Sequence, residues 1–160
     1  MNNQHTSMKF GFLALLSTIA LIVTAVLSGC VPAAAEQNKA VIRRQLEAFG
    51  PGKLKVLEQL ADELYTADYV VHDPGSPGLP PGPEGVKVFV RGFLTAFPDA
   101  RITVEDQIAE GDKVTTRFTM RGTNAATGKP VTMQVLCLSR FVGGKIAEEW
   151  QIGVPVEAQP

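Results

Sequence analysis

This sequence is short of the residues that most cofactor and metal sites require. It has two histidines, His5 and His72, and two cysteines, Cys30 and Cys137, too few for a usual zinc site. No glycine fingerprint follows a strand-like run, so no dinucleotide is implied. Gly122–Lys129 has five residues between its glycines where a phosphate loop has four, and Pro130 where Ser or Thr would hold magnesium. No nucleophile elbow surrounds Ser76. Neither a cofactor nor a metal is therefore expected. No charge sign dominates either: 15 Lys and Arg face 16 Asp and Glu, a formal net charge of −1, so nothing argues for a nucleic-acid partner. No internal repeat or second domain is visible in 160 residues.

The largest gap in charge runs from Lys9 to Glu36. Inside it, Phe10–Leu27 is an apolar run of 18 residues broken only by Gly11, Ser17, Thr18 and Thr24. Leu27-Ser28-Gly29-Cys30 follows. A positive start, an apolar middle and small residues at the end make a secretion signal, and the last four residues resemble the lipobox of bacterial lipoproteins. That resemblance implies cleavage of residues 1–29, lipidation of Cys30 with palmitate-type acyl chains, and a tether over residues 30–35. Two or three acyl chains give stable anchoring. The protein would then be a membrane-anchored lipoprotein of the cell envelope, facing the periplasm or exterior, with Val31 after the cysteine favouring an outer membrane by analogy. The alternative is an uncleaved span, for which 18 apolar residues just suffice. With Cys30 acylated, Cys137 has no partner, so no intrachain disulfide is expected; Cys137 reads as a small buried apolar residue.

Beyond the tether the helical period is readable. Ile42, Leu46 and Phe49 form one apolar stripe, stopped by Gly50-Pro51-Gly52. Leu54, Leu57, Leu60, Ala61 and Leu64 form a second. Tyr69–His72 reads as a short strand ended by Asp73-Pro74. Gly75–Gly85 holds four prolines and four glycines, a loop long enough to suggest a functional lid. A third helix opens at Pro83-Glu84 and aligns Phe89, Phe93 and Phe97. The remainder alternates with period two. Ile102, Val104 and Ile108 share a phase; so do Val114, Thr116, Phe118 and Met120; so do Ile146, Glu148, Trp150 and Ile152. Val131–Val142 is apolar on both phases and reads as a central strand. Asp106 falls on an apolar phase unless a bulge shifts it, while Arg117 and Arg121 fall on a polar one. Helices followed by an antiparallel meander predict an α+β fold with helices on one face of a sheet.

Several segments also resemble one family. Leu64–Pro74 (LYTADYVVHDP), Gly82–Gly85 with Ala96–Asp99, Glu105–Val114 (EDQIAEGDKV), Ala126–Val131 (ATGKPV) and Gly144–Trp150 (GKIAEEW) are similar, in order, to motifs of the SnoaL-like polyketide cyclase (ester cyclase) family. The resemblance spans about residues 38–152 and implies a nuclear transport factor 2-like fold: a cone-shaped curved antiparallel sheet closed by three N-terminal helices around a pocket. The domain would cover residues 36–154, with a tail at 155–160. Two departures stand out. The hairpin at Thr123–Ala126 is shorter than the family's, and Val154 stands where its cyclases place a general acid/base Asp.

His72-Asp73-Pro74 sits where ketosteroid isomerases, of similar fold, carry their base. By that analogy Asp73 faces the pocket; a carboxylate desolvated among aromatics becomes a better base near neutral pH. Asp73 also suits a loop-capping role before Pro74. His72, its neighbour on the strand, points to the other face unless a bulge intervenes, and has a structural as well as a catalytic reading. Glu148, in phase with Trp150 and Val154, is a second candidate carboxylate, or half of an ion pair. Tyr65, Phe89, Phe93, Phe97, Phe118 and Trp150 are the candidate walls of a substrate site, or core. Three functions remain open: acid/base cyclisation or isomerisation of a small apolar carbonyl compound, non-catalytic binding of such a molecule, and a structural role through pairing of two copies on the outer sheet face, since related domains often pair.

Overall fold

The computed structural model describes residues 33–156. The leader, Cys30 and the end of the tail lie outside them. Residues 35–156 belong to one compact unit. Helix α1 (33–47) starts inside the stretch expected to be a tether, and Ala33-Ala34-Ala35, strong helix formers, account for this. Helix α2 (Leu54–Leu64) and helix α3 (Pro83–Ala96) follow the apolar stripes read from the sequence. Ile42, Leu46, Phe49, Leu57, Leu60, Ala61 and Leu64 are all buried. Each fully buried Leu or Ile contributes roughly 1.5–3 kcal/mol. Arg44–Glu63 ties α1 to α2, and Lys87–Asp62 and Arg91–Glu58 tie α2 to α3. Among the described residues no helix is long and apolar enough to cross a membrane.

Five strands make one sheet: β1 (Tyr65–His72), β2 (Arg101–Glu110), β3 (Lys113–Thr123), β4 (Pro130–Val142) and β5 (Lys145–Pro155), in the order β1-β5-β4-β3-β2. β4 is central, as its apolar pattern predicts. β1 is longer than expected, starting directly after α2, and it pairs parallel with β5, whereas the other pairs are antiparallel. A parallel neighbour needs a long connection, which α3 and the three intervening strands provide.

Two bulges bend the sheet and reset its faces. In β2, Val104 pairs with Phe118 and Asp106 with Arg117, leaving Glu105 as the extra residue. In β5, Ile146 pairs with Phe141 and Glu148 with Arg140, leaving Ala147 extra. The first turns Ile108 out to solvent, 73% exposed, although it shares a sequence phase with Ile102 and Val104. It also turns Asp106 outward, where it pairs with Arg117, resolving the anomaly of a carboxylate on an apolar phase. The second bulge leaves Ile146 in the core and turns Glu148 outward, with Glu149 buried instead. Helices cover the concave face. The convex face leaves Leu136 and Val154 exposed.

Candidate active site

Between the concave face and the helices lies a cavity of about 430 Å³, within the range that holds a drug-sized ligand. Phe89, Phe93 and Phe97 of α3 line one wall, with Phe89 stacked on Phe93 at 5.7 Å and Phe93 tilted against Phe97 at 5.4 Å. Tyr65 and Tyr69 of β1 and Phe118 of β3 line the opposite side. The loop after β1 contributes Gly75, Ser76, Leu79 and Pro80. Its far end is pinned to the sheet: Gly82 N–H donates to the Tyr69 carbonyl at 2.8 Å. Gly82 has φ of 74°, and a Cβ there would lie 2.4 Å from the Ala67 carbonyl oxygen, so only glycine fits this close approach.

The polar groups converge on one stretch of the cavity. Tyr69, Val71 and Asp73 follow one another on the inward phase of β1 and its end. Asp73 accepts the Gly75 N–H at 2.8 Å on one oxygen and the Gln151 side-chain N–H at 2.9 Å on the other. It is both the loop cap and a cavity carboxylate, and the two sequence readings coexist. Across the sheet Val71, Glu149 and Ser139 form one inward row. Glu149 receives hydrogen bonds from Tyr69 Oη at 2.8 Å, Ser139 Oγ at 2.7 Å and Cys137 Sγ at 3.6 Å. Burial pushes the Glu149 carboxyl above its usual range, against the downward pull of Ser139, Tyr69 and Cys137. Burial first, and then Glu149, push the Tyr69 hydroxyl and the Cys137 thiol up, so both keep their protons near neutral pH. None of the described residues lining the cavity is Lys, Arg or His. Among the described residues, no group of three or more His, Cys, Asp or Glu could hold a metal ion.

Three expectations are corrected. Glu148 is not a cavity residue. On the convex face it takes His72 Nε2 at 2.9 Å on one oxygen and Arg140 Nε at 3.0 Å on the other. Those two bonds, His72 first, hold its carboxyl below the usual range. Trp150 is not a wall. It lies on the same outer face with its ring stacked 5.0 Å from that of His72. His72 points away from the cavity as a member of this outer cluster, opposite Asp73 as simple alternation requires. The Ala147 bulge explains both β5 errors: it moves the inward phase from residues 148 and 150 to 149 and 151. Val154 is exposed, pairs with Gln134, and does not line the cavity. Sequence reasoning missed Glu149, Tyr69 and Gln151. The available signal was Cys137 and Ser139 at alternate positions of a central strand, two small polar groups facing inward that call for a buried partner.

Residues 39–154 match the SnoaL-like polyketide cyclase family. Among solved structures, IdmH of Streptomyces antibioticus, provisionally assigned as a polyketide cyclase, is 34% identical, covering 73% of this chain and 91% of its own, with a TM-score of 0.62. A protein of Acidithiobacillus ferrooxidans with the same provisional assignment is 26% identical, covering 73% and 87%, with a TM-score of 0.63. A SnoaL-like protein of Jannaschia is 21% identical with a TM-score of 0.63, covering 74% and 86%; it supports the fold alone. No match is found among curated proteins. The cone of curved sheet closed by three helices is the nuclear transport factor 2-like architecture, and the chain belongs to the SnoaL-like polyketide cyclase family.

Proposed function

We infer that this chain is a membrane-anchored lipoprotein whose SnoaL-like domain binds a small, largely apolar carbonyl compound and enolises it, towards cyclisation or isomerisation, without a cofactor. The observation that carries this reading is a cavity walled by aromatic side chains, with Asp73 at its polar end. Enolisation needs a base near the carbon next to a carbonyl and an apolar enclosure that excludes water; the aromatic lining and Asp73 support this reading. The test uses the full chain in detergent and 2-tetralone, a neutral bicyclic ketone, in D₂O. Wild type accelerates exchange of the α-hydrogens, and Asp73→Asn lowers that rate by about 100-fold, within the range of general-base effects. Equal rates in the two proteins end the role given to Asp73.

One observation favours a second reading, binding without chemistry: both Asp73 oxygens already accept hydrogen bonds within the protein, as a purely structural carboxylate would. Saturable 2-tetralone binding with no exchange in wild type selects it.

The anchor rests on Leu27-Ser28-Gly29-Cys30. Wild type is expected to lose residues 1–29 and to incorporate labelled palmitate, and Cys30→Ser to do neither; a wild type that keeps its leader and takes up no palmitate supports a plain span instead. The exposed apolar side chains of the convex face, Leu136 among them, support pairing of two copies there, which sedimentation of wild type against Leu136→Lys tests.

A further inference from the structure

Asp73 accounts for the proton that leaves carbon, but not for the charge that then develops on the carbonyl oxygen. An enolate forming in an apolar enclosure needs a donor aimed at it. The described lining residues offer no cation for this. They do offer a connected set of protons on the inward rows of β1, β4 and β5. Tyr69 and Glu149 both line the cavity and lie 2.8 Å apart, Oη to Oε2. Ser139 Oγ, behind them, and Cys137 Sγ, itself on the cavity wall, approach the other Glu149 oxygen at 2.7 and 3.6 Å.

We propose that Tyr69 is a catalytic donor to the ligand's carbonyl oxygen, and that Glu149 behind it supplies the proton this oxygen takes up. The proposal rests on the enolisation reading above. Asp73 removes a proton from the carbon next to the carbonyl, and the C–H electron pair becomes the C=C bond. The carbonyl π pair moves to oxygen, which takes the Tyr69 proton, and Tyr69 takes the proton of Glu149. The result is an enol, a protonated Asp73 and a Glu149 carboxylate. Return of the Asp73 proton to the same or another carbon, with the oxygen's proton passing back through Tyr69 to Glu149, resets the site. No oxidant, reductant or metal enters.

Two opposed effects at Glu149 make the transfer accessible in both directions. Burial, with no Lys, Arg or His among the described lining residues, favours its neutral acid, the form that can give a proton. The three donors from Tyr69, Ser139 and Cys137 stabilise the carboxylate left behind. The first effect favours loading the carboxyl with a proton and the second favours its release. A role confined to stability would need the bonds but not the position on the cavity wall.

The experiment uses the full chain in detergent with two probes: 2-tetralone exchange for turnover, and 2-naphthol, a planar enol analogue, for binding. Tyr69→Phe is expected to lose about 100-fold in exchange and to weaken 2-naphthol about tenfold. Glu149→Gln keeps a donor towards Tyr69 but has no proton to release. It should bind 2-naphthol within about threefold of wild type yet exchange 2-tetralone at least tenfold more slowly, a split that a structural role does not produce. Glu148→Gln, on the outer face, serves as the unaffected control, and circular dichroism establishes folding of each variant. Should Glu149→Gln fold poorly, Glu149→Asp replaces it, with partial exchange expected from a retracted acid. Exchange within twofold of wild type in folded Tyr69→Phe and Glu149 variants overturns the proposal while Asp73 keeps its role. Loss of exchange only in these variants, with Asp73→Asn unaffected, removes Asp73 from the site and leaves the donor pair standing.

Discussion

Glu148 and Glu149 are neighbours in sequence and live on opposite sides of one sheet. Glu148 stands on the convex face, bonded to His72 and Arg140, with its carboxyl held below the usual range by those partners. Glu149 stands on the concave face, buried with Tyr69, Ser139 and Cys137, with its carboxyl pushed up by burial. The chemical group is the same in both, and what differs is the partner set: cationic or cation-forming groups outside, neutral donors inside. Position on the sheet thus decides which carboxyl is held as an anion and which is pushed towards the acid, and a single extra residue, Ala147, decides the position.

Removing each side chain should break the comparison most visibly. Glu149→Ala leaves the Tyr69 and Ser139 hydroxyls without their partner and opens a hole, at a cost of about 3 kcal/mol. Glu148→Ala removes a bond network at the surface, where ion pairs add little, and leaves the urea midpoint nearly unchanged. Urea unfolding of both variants checks this. Comparable losses would mean that the two faces are not energetically distinct.

The same bulge marks the limit of what the sequence discloses. Helix stripes such as Ile42-Leu46-Phe49 are legible because several residues per turn report one buried face. The Gly75–Gly85 loop and the Phe89-Phe93-Phe97 face are legible for similar reasons. Strand faces are legible only while alternation is unbroken. β3 runs without a bulge, and Val114, Thr116, Phe118 and Met120 are all buried. β2 and β5 each carry one extra residue, and past it every inward assignment inverts: Gln107 for Ile108, Glu149 for Glu148, Gln151 for Trp150. Neither Glu105 nor Ala147 bears a glycine or proline to announce the irregularity. Asp73 was legible because Pro74 fixes the end of β1 and alternation from Tyr69 holds up to it.

A finer break in the comparison comes from pH, because the two carboxyls shift in opposite directions. A carboxyl raised in the folded state binds more protons folded than unfolded, so its contribution is present at acid pH and lost as pH rises from the unfolded value through the folded one. Glu149 therefore steepens the loss of stability on the alkaline side of the ordinary carboxylate range, and Glu149→Gln should flatten it. Glu148 is lowered, so its contribution is present above the unfolded value and lost as pH falls through the folded one. Glu148→Gln should flatten the acid side only. Urea midpoints measured from acid to mildly alkaline pH separate the two, and a shared slope change in both variants would contradict the opposite shifts.

The smallest effect sharpens the comparison from the outside. Trp150 is the one tryptophan of the chain, and by sequence phase alone it belongs to the ligand wall. The structure stacks it on His72 over the convex face, with the sheet between it and the cavity. Trp150→Phe should therefore cost at most about 1 kcal/mol through the weakened stack and leave 2-naphthol affinity within twofold. A cavity-wall aromatic behaves otherwise, because truncating it removes contact area from the ligand directly: Phe118→Ala should weaken 2-naphthol by tenfold or more. If titration instead finds Trp150→Phe as damaging as Phe118→Ala, the inward phase of β5 runs through residues 148 and 150, and Glu149 loses its place beside Tyr69.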